Sequence, residues 1–238
     1  SQCSKASAQR PRVHTSPRDA SPGSLLRGRC AAPADIQGPA EPARLALTIG
    51  GIAFEDVRCS REEMLAMKEA GSLPCGQVPL LEVDGHPLSQ SQAIATYCAQ
   101  LAGLYPSDPF AAAKCDEVTQ LVLQDIRERT IAPAMREPDE EKKAAMRKEL
   151  GEVKLPEKFK LLESFLQPSG FFVGDSLTVA DLHTYVMLNW IGMGVLDGVT
   201  NQCVKDCPGL MKLLTTINEM PAVAEWNASK NSGKVPWF

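Results

Sequence analysis

The sequence predicts an α/β unit followed by an all-helical unit, and three observations support this fold class. Residues 41–102 have the order helix, strand, helix, strand, strand, helix, which is typical of a small sheet with mixed strand directions. Residues 108–238 carry helical patterns throughout. A boundary at residues 104–106 separates the two units. We therefore place one domain at residues 31–105 and a second at residues 106–238.

Local signals justify each element of the α/β unit. Ser60 and Glu63 have the spacing of a capping box, which starts a helix. Pro79 cannot donate a ladder hydrogen bond, so it suits the first residue of a strand. Asp84 and Gly85 predict a two-residue hairpin turn in which both residues have positive φ. Residues 91–102 then change to a helical period.

The helical half contains three further signals. Asp108 precedes a proline and starts a long helix. The charged stretch 139–166 predicts another helix with a kink at Pro156, because proline lacks the backbone N–H that a helix interior needs. Thr178 and Asp181 form a capping box before an apolar helix, so we assign Asp181 a structural role.

Composition argues against several classes of function. A net charge of −4 and few aromatic residues argue against nucleic acid as the main partner, and no apolar stretch approaches the length of a membrane span. The eight cysteines are scattered and the three histidines lie far apart, so we predict no metal site and a reduced, cytoplasmic compartment. Residues 1–30 differ, because they are basic and serine-rich. They predict a disordered or transit-like tail, which leaves organellar import open.

The segment 76–94 predicts a site for a small peptide. The backbone of Val78, beside Pro79, would face the start of a helix at Gln90 and Ser91. A helix N-terminus presents unpaired N–H groups and the positive end of the helix dipole, which together suit a carboxylate. The alternative interpretation is that Gln90 and Ser91 only cap the helix.

These features resemble those of a known family. The Val-Pro strand start, the Gln-Ser helix start and the later segment GDSLTVADL are together similar to cytosolic glutathione S-transferases. The resemblance spans residues 35–226 and is strongest to the sigma class, whose relatives include hematopoietic prostaglandin D synthases and S-crystallins. It implies a thioredoxin-like N-terminal domain, an all-α C-terminal domain, glutathione as co-substrate, a small hydrophobic electrophile and a homodimer.

The resemblance also assigns roles to single residues. Val78, before a cis bond to Pro79, would offer its backbone to the cysteinyl part of glutathione. Gln90 and Ser91 would hold the γ-glutamyl carboxylate.

Three further assignments have simpler alternatives. Lys68 and Gln77 would hold the glycine carboxylate, although Lys68 is equally explained as a solvated residue on a helix. Asp116 would reach the γ-glutamyl amine of glutathione bound to the partner subunit, and its alternative is an ordinary surface position.

The pattern fails at the catalytic position. In the family the first strand ends in a tyrosine whose hydroxyl stabilises the glutathione thiolate, but here Pro33 and Ala34 stand at that point and no tyrosine precedes Tyr97. Cys30 and Ser24 are the candidate substitutes. The segment before Pro33 lacks strand alternation, so we expect a degenerate first strand. We therefore predict a glutathione transferase that is weak in this chain.

Two other functions stay open at this point. One is a catalytically impaired glutathione-binding or structural relative, similar to an S-crystallin. The other is a glutathione-dependent prostaglandin isomerase.

Overall fold

Four strands of the N-terminal half form one mixed sheet in the computed structural model, which describes residues 26–31 and 38–230. The strands are β1 (Leu26–Ala31), β2 (Glu55–Cys59), β3 (Leu80–Val83) and β4 (His86–Ser89). The helices of this half are α1 (Glu41–Ile49), α2 (Arg61–Glu69) and α3 (Ser91–Leu101). The predicted fold class is confirmed, because this thioredoxin-like sheet precedes an all-helical half.

The helical half begins with α4 (Pro109–Gln120), which continues through a π-helical segment at Leu121–Ile131. A second π-helical segment lies at Leu150–Lys154. The other helices are α5 (Ala132–Arg136), α6 (Glu140–Glu149), α7 (Leu155–Glu163), α8 (Val179–Gly192), α9 (Gln202–Lys205), α10 (Pro208–Asn218) and α11 (Pro221–Lys230). None of the helices described in residues 38–230 is long and apolar enough to cross a membrane.

The first strand corrects one expectation from the sequence. The strand order is β2-β1-β3-β4, so β1 lies inside the sheet, parallel to β2 and antiparallel to β3. Both strand edges are paired, and the Arg27 guanidinium also binds the Glu55 carboxylate of β2 at 2.6 Å. Backbone pairing on two sides therefore forms the strand despite its weak alternation. Residues 26–30 belong to the sheet and not to the predicted tail, most of which lies outside the described residues.

The turn and cap signals of this half are confirmed. Asp84 and Gly85 both have positive φ, at 49° and 83°, as the hairpin turn requires. The Ser60 hydroxyl accepts from the Glu63 amide while the Glu63 carboxylate accepts from the Ser60 amide, which completes the capping box of α2.

The two long helices predicted in the helical half are each divided. The first changes to π-helical turns after Gln120. The second is interrupted by the π-helical segment before α7, and Pro156 lies in the first turn of that helix. The helix continues into this turn without a break, because the Leu155 amide donates to the Leu150 carbonyl. The proline, which has no N–H to donate, follows where the π-helical turns change to α-helical ones.

The buried helix α8 forms the centre of the helical half. Its capping box is present, because the Asp181 carboxylate accepts from the Thr178 amide at 2.7 Å and from the Thr178 hydroxyl at 2.8 Å. The same carboxylate accepts from the Phe172 amide at 3.0 Å. Burial raises the pKa of Asp181, and these hydrogen bonds oppose that change. The structural role assigned to Asp181 agrees with these contacts.

A buried polar chain links the two halves. The Trp226 indole of α11 donates to the Glu41 carboxylate of α1 at 2.7 Å. Arg44 contacts both Glu41, at 3.2 Å, and Asp56 of β2, at 2.8 Å. The helical half therefore contacts the sheet through paired charges as well as through apolar packing between α1 and α8.

The buried His183 makes folding stability depend on pH. Its Nε2 atom has no hydrogen-bond partner within the described residues. Burial lowers its pKa to about 4, and the charge of Arg127 acts in the same direction. The unfolded chain therefore binds a proton at this histidine between about pH 6.5 and 4 while the folded chain does not, so stability falls as pH decreases through that range.

We expect His183→Gln to weaken this dependence, because glutamine does not titrate. Wild type should lose about 2 kcal/mol of unfolding free energy between pH 7 and pH 5 from this group alone. Urea unfolding at the two pH values measures the loss, and His86→Gln, at an exposed histidine, is the matched control. Equal pH slopes for wild type and His183→Gln would contradict the assignment.

Candidate functional site

The predicted site residues meet at one end of the sheet. The pairing of β3 with β4 places Leu80 opposite Ser89. The residues just before β3, Val78 and Pro79, therefore lie beside the residues just after β4, where α3 begins. The peptide bond between Val78 and Pro79 is cis, as the family resemblance implied. Pro79 is buried, and Val78 is half-buried.

The start of α3 has the properties of an anion site. Gln90 precedes the helix with φ 73° and ψ 115°, and its side chain makes no capping hydrogen bond. Ser91 is the first helical residue and is half-buried. The helices α2 and α8 both have capping boxes, whereas the N-cap side chain of α3, like those of α1 and α10, leaves the first-turn N–H groups to other partners. The alternative that Gln90 serves only as a side-chain cap does not fit this geometry.

Lys68 and Gln77 lie on the α2 side of the same sheet end. Gln77 is exposed and directly precedes Val78. Lys68 is exposed in the last turn of α2, and a Cβ atom placed on Gly76 would stand 3.7 Å from Lys68 Cε. The lysine side chain therefore lies beside the loop that carries Gln77.

Asp116 has a contact that the sequence did not indicate. Its carboxylate accepts a hydrogen bond from the Tyr105 hydroxyl at 3.0 Å. One helical turn later, Gln120 donates to Gln92 in the first turn of α3, also at 3.0 Å. This face of α4 thus lies near the α3 start, although the predicted contact of Asp116 with a partner-bound ligand remains a prediction.

The structure describes only part of one of the residues considered for thiolate activation. Pro33, Ala34 and Ser24 lie outside the described residues. Cys30 belongs to β1, and its side chain lies outside the description.

The hydroxyl groups of two tyrosines are already engaged. Burial, followed by the hydrogen bond to Asp116, raises the pKa of Tyr105 to about 12. The Tyr185 hydroxyl donates to Asn218 within the helical half at 3.3 Å.

Sequence reasoning missed two local features of the site. The first is the positive φ of Gln90, an uncommon conformation for a residue with a side chain, and such backbone outliers cluster at ligand-binding sites. The second is Ser89, whose buried hydroxyl has no hydrogen-bond partner in the described part of the chain. The turn residues around them gave no signal of either feature.

Comparison with known proteins identifies the family. The model of the glutathione S-transferase N-terminal domain matches residues 36–100, and that of the C-terminal domain matches residues 124–230. The chain is also 34% identical over 202 residues to glutathione S-transferase 1 of Ascaris suum, covering 82% of this chain and 93% of that protein. The chain belongs to the glutathione S-transferase family.

Two solved structures show the range of this transferase fold. A prostaglandin synthase D of Nilaparvata lugens superposes with a TM-score of 0.76 at 25% identity, covering 87% of this chain and 98% of that one. A transferase of the hookworm Necator americanus, described as monomeric, superposes with a TM-score of 0.68 at 28% identity, covering 87% and 97%. The glutathione S-transferase architecture therefore holds across proteins with different names.

We expect Ser91→Ala to weaken glutathione binding, because it removes a hydroxyl donor to a charged carboxylate. The loss should be about 1.5–3 kcal/mol, or at least about tenfold in Kd. Titration calorimetry measures it. Ser107→Ala, at an exposed serine between α3 and α4, is the control and should leave the Kd unchanged. An unchanged Kd for Ser91→Ala would remove Ser91 from the site.

Proposed function

We propose that this chain binds glutathione at the sheet end formed by Val78 and the start of α3, and conjugates it through its sulfur to small electrophiles. The observation that carries the proposal is the β3–β4 register, which sets the backbone of Val78 and Pro79, just before β3, beside the start of α3, where the Gln90 side chain makes no capping hydrogen bond. A peptide with a free carboxylate fits both features. Glutathione is such a peptide, and it is the co-substrate of the family to which the chain belongs.

Each end of glutathione would meet a complementary group. The γ-glutamyl carboxylate would accept from the Ser91 hydroxyl and the first-turn N–H groups of α3, where the helix dipole also favours negative charge. The Gln90 amide would lie beside it. The glycine carboxylate would meet Lys68 and Gln77. Charge-assisted hydrogen bonds of this kind are roughly twice as strong as neutral ones, so the two carboxylates would set the orientation of the peptide.

The backbone of Val78 would position the reacting part of the peptide. Extended peptides bind exposed backbone through main-chain hydrogen bonds, and the cysteinyl residue would pair with Val78 in this way. Its thiol would lose a proton, and the thiolate would then form a carbon–sulfur bond to the electrophile, with departure of the leaving group where one is present. The thiolate is the reactive form, so its pKa sets the rate near neutral pH.

The absence of a tyrosine at Pro33 limits this chemistry. A hydroxyl that donates to the sulfur would favour the thiolate and lower its pKa. Without that donor the bound thiol should titrate near the ordinary cysteine value of about 8.5. We therefore propose slow conjugation by this chain. The prostaglandin synthase neighbour shares the fold with the transferases, so its likeness does not favour an isomerase.

The finer assignments are part of the same proposal. We assign the chain to the sigma class on the residues quoted above. We also propose a cytoplasmic location, which is supported by free thiols at Cys75, Cys98, Cys115, Cys203 and Cys207.

The substitution Pro33→Tyr should raise the conjugation rate, because it returns a hydroxyl at the family's catalytic position. Since β1 is paired on both sides, rebuilding the strand is unnecessary. Lowering the thiol pKa by one unit corresponds to about 1.4 kcal/mol, so we expect about a tenfold gain near neutral pH. The measurements are conjugation of a chloronitrobenzene and the pH dependence of the thiolate absorbance.

Pro33→Phe adds the same ring without the hydroxyl and should leave the rate low. If the unmodified chain already conjugates rapidly, the proposal of slow chemistry is wrong. Cys30→Ala then tests whether that thiol acts in place of the tyrosine.

We further propose a homodimer in which Asp116 lies near the subunit boundary. Two-fold dimers are the commonest soluble oligomers. Sedimentation equilibrium at micromolar concentration should show a dimer. The substitution Asp116→Asn should weaken glutathione binding without dissociating the dimer. Glu117→Gln, at the exposed neighbouring position, is the control. A monomer at these concentrations would contradict the proposal.

A further inference from the structure

A cavity lies in the helical half, where the two π-helical segments approach each other. It has a volume of about 270 Å³. Its floor is apolar and includes Ala134 and Leu150, which are 2% and 1% exposed. Its rim carries Arg129, Lys154 and Lys158. We call this cavity the basic pocket. It shares no lining residue with the glutathione site.

The π-helical turns contribute to both walls of the basic pocket. Arg129 and Thr130 belong to the first π-helical segment, and Leu150 and Lys154 belong to the second. The Thr130 hydroxyl donates to the Asp125 carbonyl, five residues earlier, at 2.6 Å. π-Helical turns are rare and occur frequently at functional sites, so two of them beside one cavity point to a ligand.

The rim has an excess of positive charge. Glu157 is the acidic residue that lines the basic pocket, against three cations. Arg129 pairs with Asp125 at 2.6 Å, but its side chain is 76% exposed. Lys154 pairs with Glu149 at 2.9 Å and is 44% exposed.

These pairs leave the rim available to an anion. Exposed ion pairs contribute little free energy, so an incoming carboxylate can replace the acidic partners of Arg129 and Lys154. Lys158 forms no ion pair with any residue in the described ranges.

The size and polarity of the basic pocket limit what it can hold. A volume of 270 Å³ equals that of about nine liquid water molecules, which is small for a drug-sized ligand. We propose that the basic pocket binds a small amphipathic monocarboxylate of about the size of octanoate. Its carboxylate lies among Arg129, Lys154 and Lys158, and its alkyl chain covers the apolar floor.

Titration calorimetry with sodium octanoate tests the proposal on the full chain. Saturable binding is expected, and Lys158→Met should raise the Kd about fivefold, the upper range for one exposed charge pair. Lys160→Met is the matched control, because Lys160 is exposed on the same helix and does not line the cavity. It should leave the Kd unchanged. Binding of neutral octanol should not respond to Lys158→Met.

A gain of affinity makes the test independent of folding defects. Glu157→Gln removes the negative charge from the lining and should tighten octanoate binding about twofold, which a misfolded variant would not do. The titration is repeated with saturating S-hexylglutathione, whose own binding is measured separately. Octanoate binding should persist. Displacement by S-hexylglutathione, absence of saturable binding at millimolar octanoate, or equal losses for Lys158→Met and Lys160→Met would each overturn the proposal.

Discussion

The carboxylate of Glu41 is buried where the two halves meet, and it holds the Trp226 indole and the Arg44 guanidinium at once. Burying a charge is costly unless it is paired, so the acid and the base each require the other. Removing one partner of such a pair typically costs about 3–5 kcal/mol. Because Arg44 also binds Asp56, this constraint extends from α11 through α1 to the sheet.

The candidate site depends on that sheet more than on any single side chain. The backbone of Val78 is aligned by β3, and the start of α3 is aligned by the turn after β4. Both strands are ordered by pairing to each other, and β3 also pairs with β1. The helical half contacts the start of α3 through the hydrogen bond that Gln120 of α4 donates to Gln92. A rigid sheet end thus positions main-chain groups, and the side chains add charge and specificity.

The parts of the fold that were predictable from sequence are those set by local chemistry. The capping box at Ser60 and the positive φ of Asp84 and Gly85 follow from neighbouring residues alone. The Val78 and Gln90 segments were recognised for the same reason, since a proline, a hairpin turn and a polar helix start are close together in the sequence. The geometry of these segments agrees with the prediction, while their ligand contacts stay proposals.

The features that the sequence did not indicate depend on distant partners. The strand β1 is stabilised by pairing with β2 and β3, which its own residues do not encode as alternation. The contact between Tyr105 and Asp116 joins a loop to a helix by packing. The π-helical turns likewise have no simple sequence signature. Pro33 stands out in the sequence only as a departure from the family pattern, which expects a tyrosine there.

The uncapped start of α3 has a consequence for the protein without ligand. The side chain of its N-cap residue accepts from none of the first-turn N–H groups, while those of α2 and α8 are satisfied in part by capping-box side chains. A bound carboxylate would accept from these N–H groups and so act as the missing cap. The free energy of ligand binding would therefore also stabilise the first turn of α3. Of these three helix starts, the one without a side-chain cap is then the one that would bind the ligand. A capping side chain introduced there by mutation would compete with the ligand for the N–H groups.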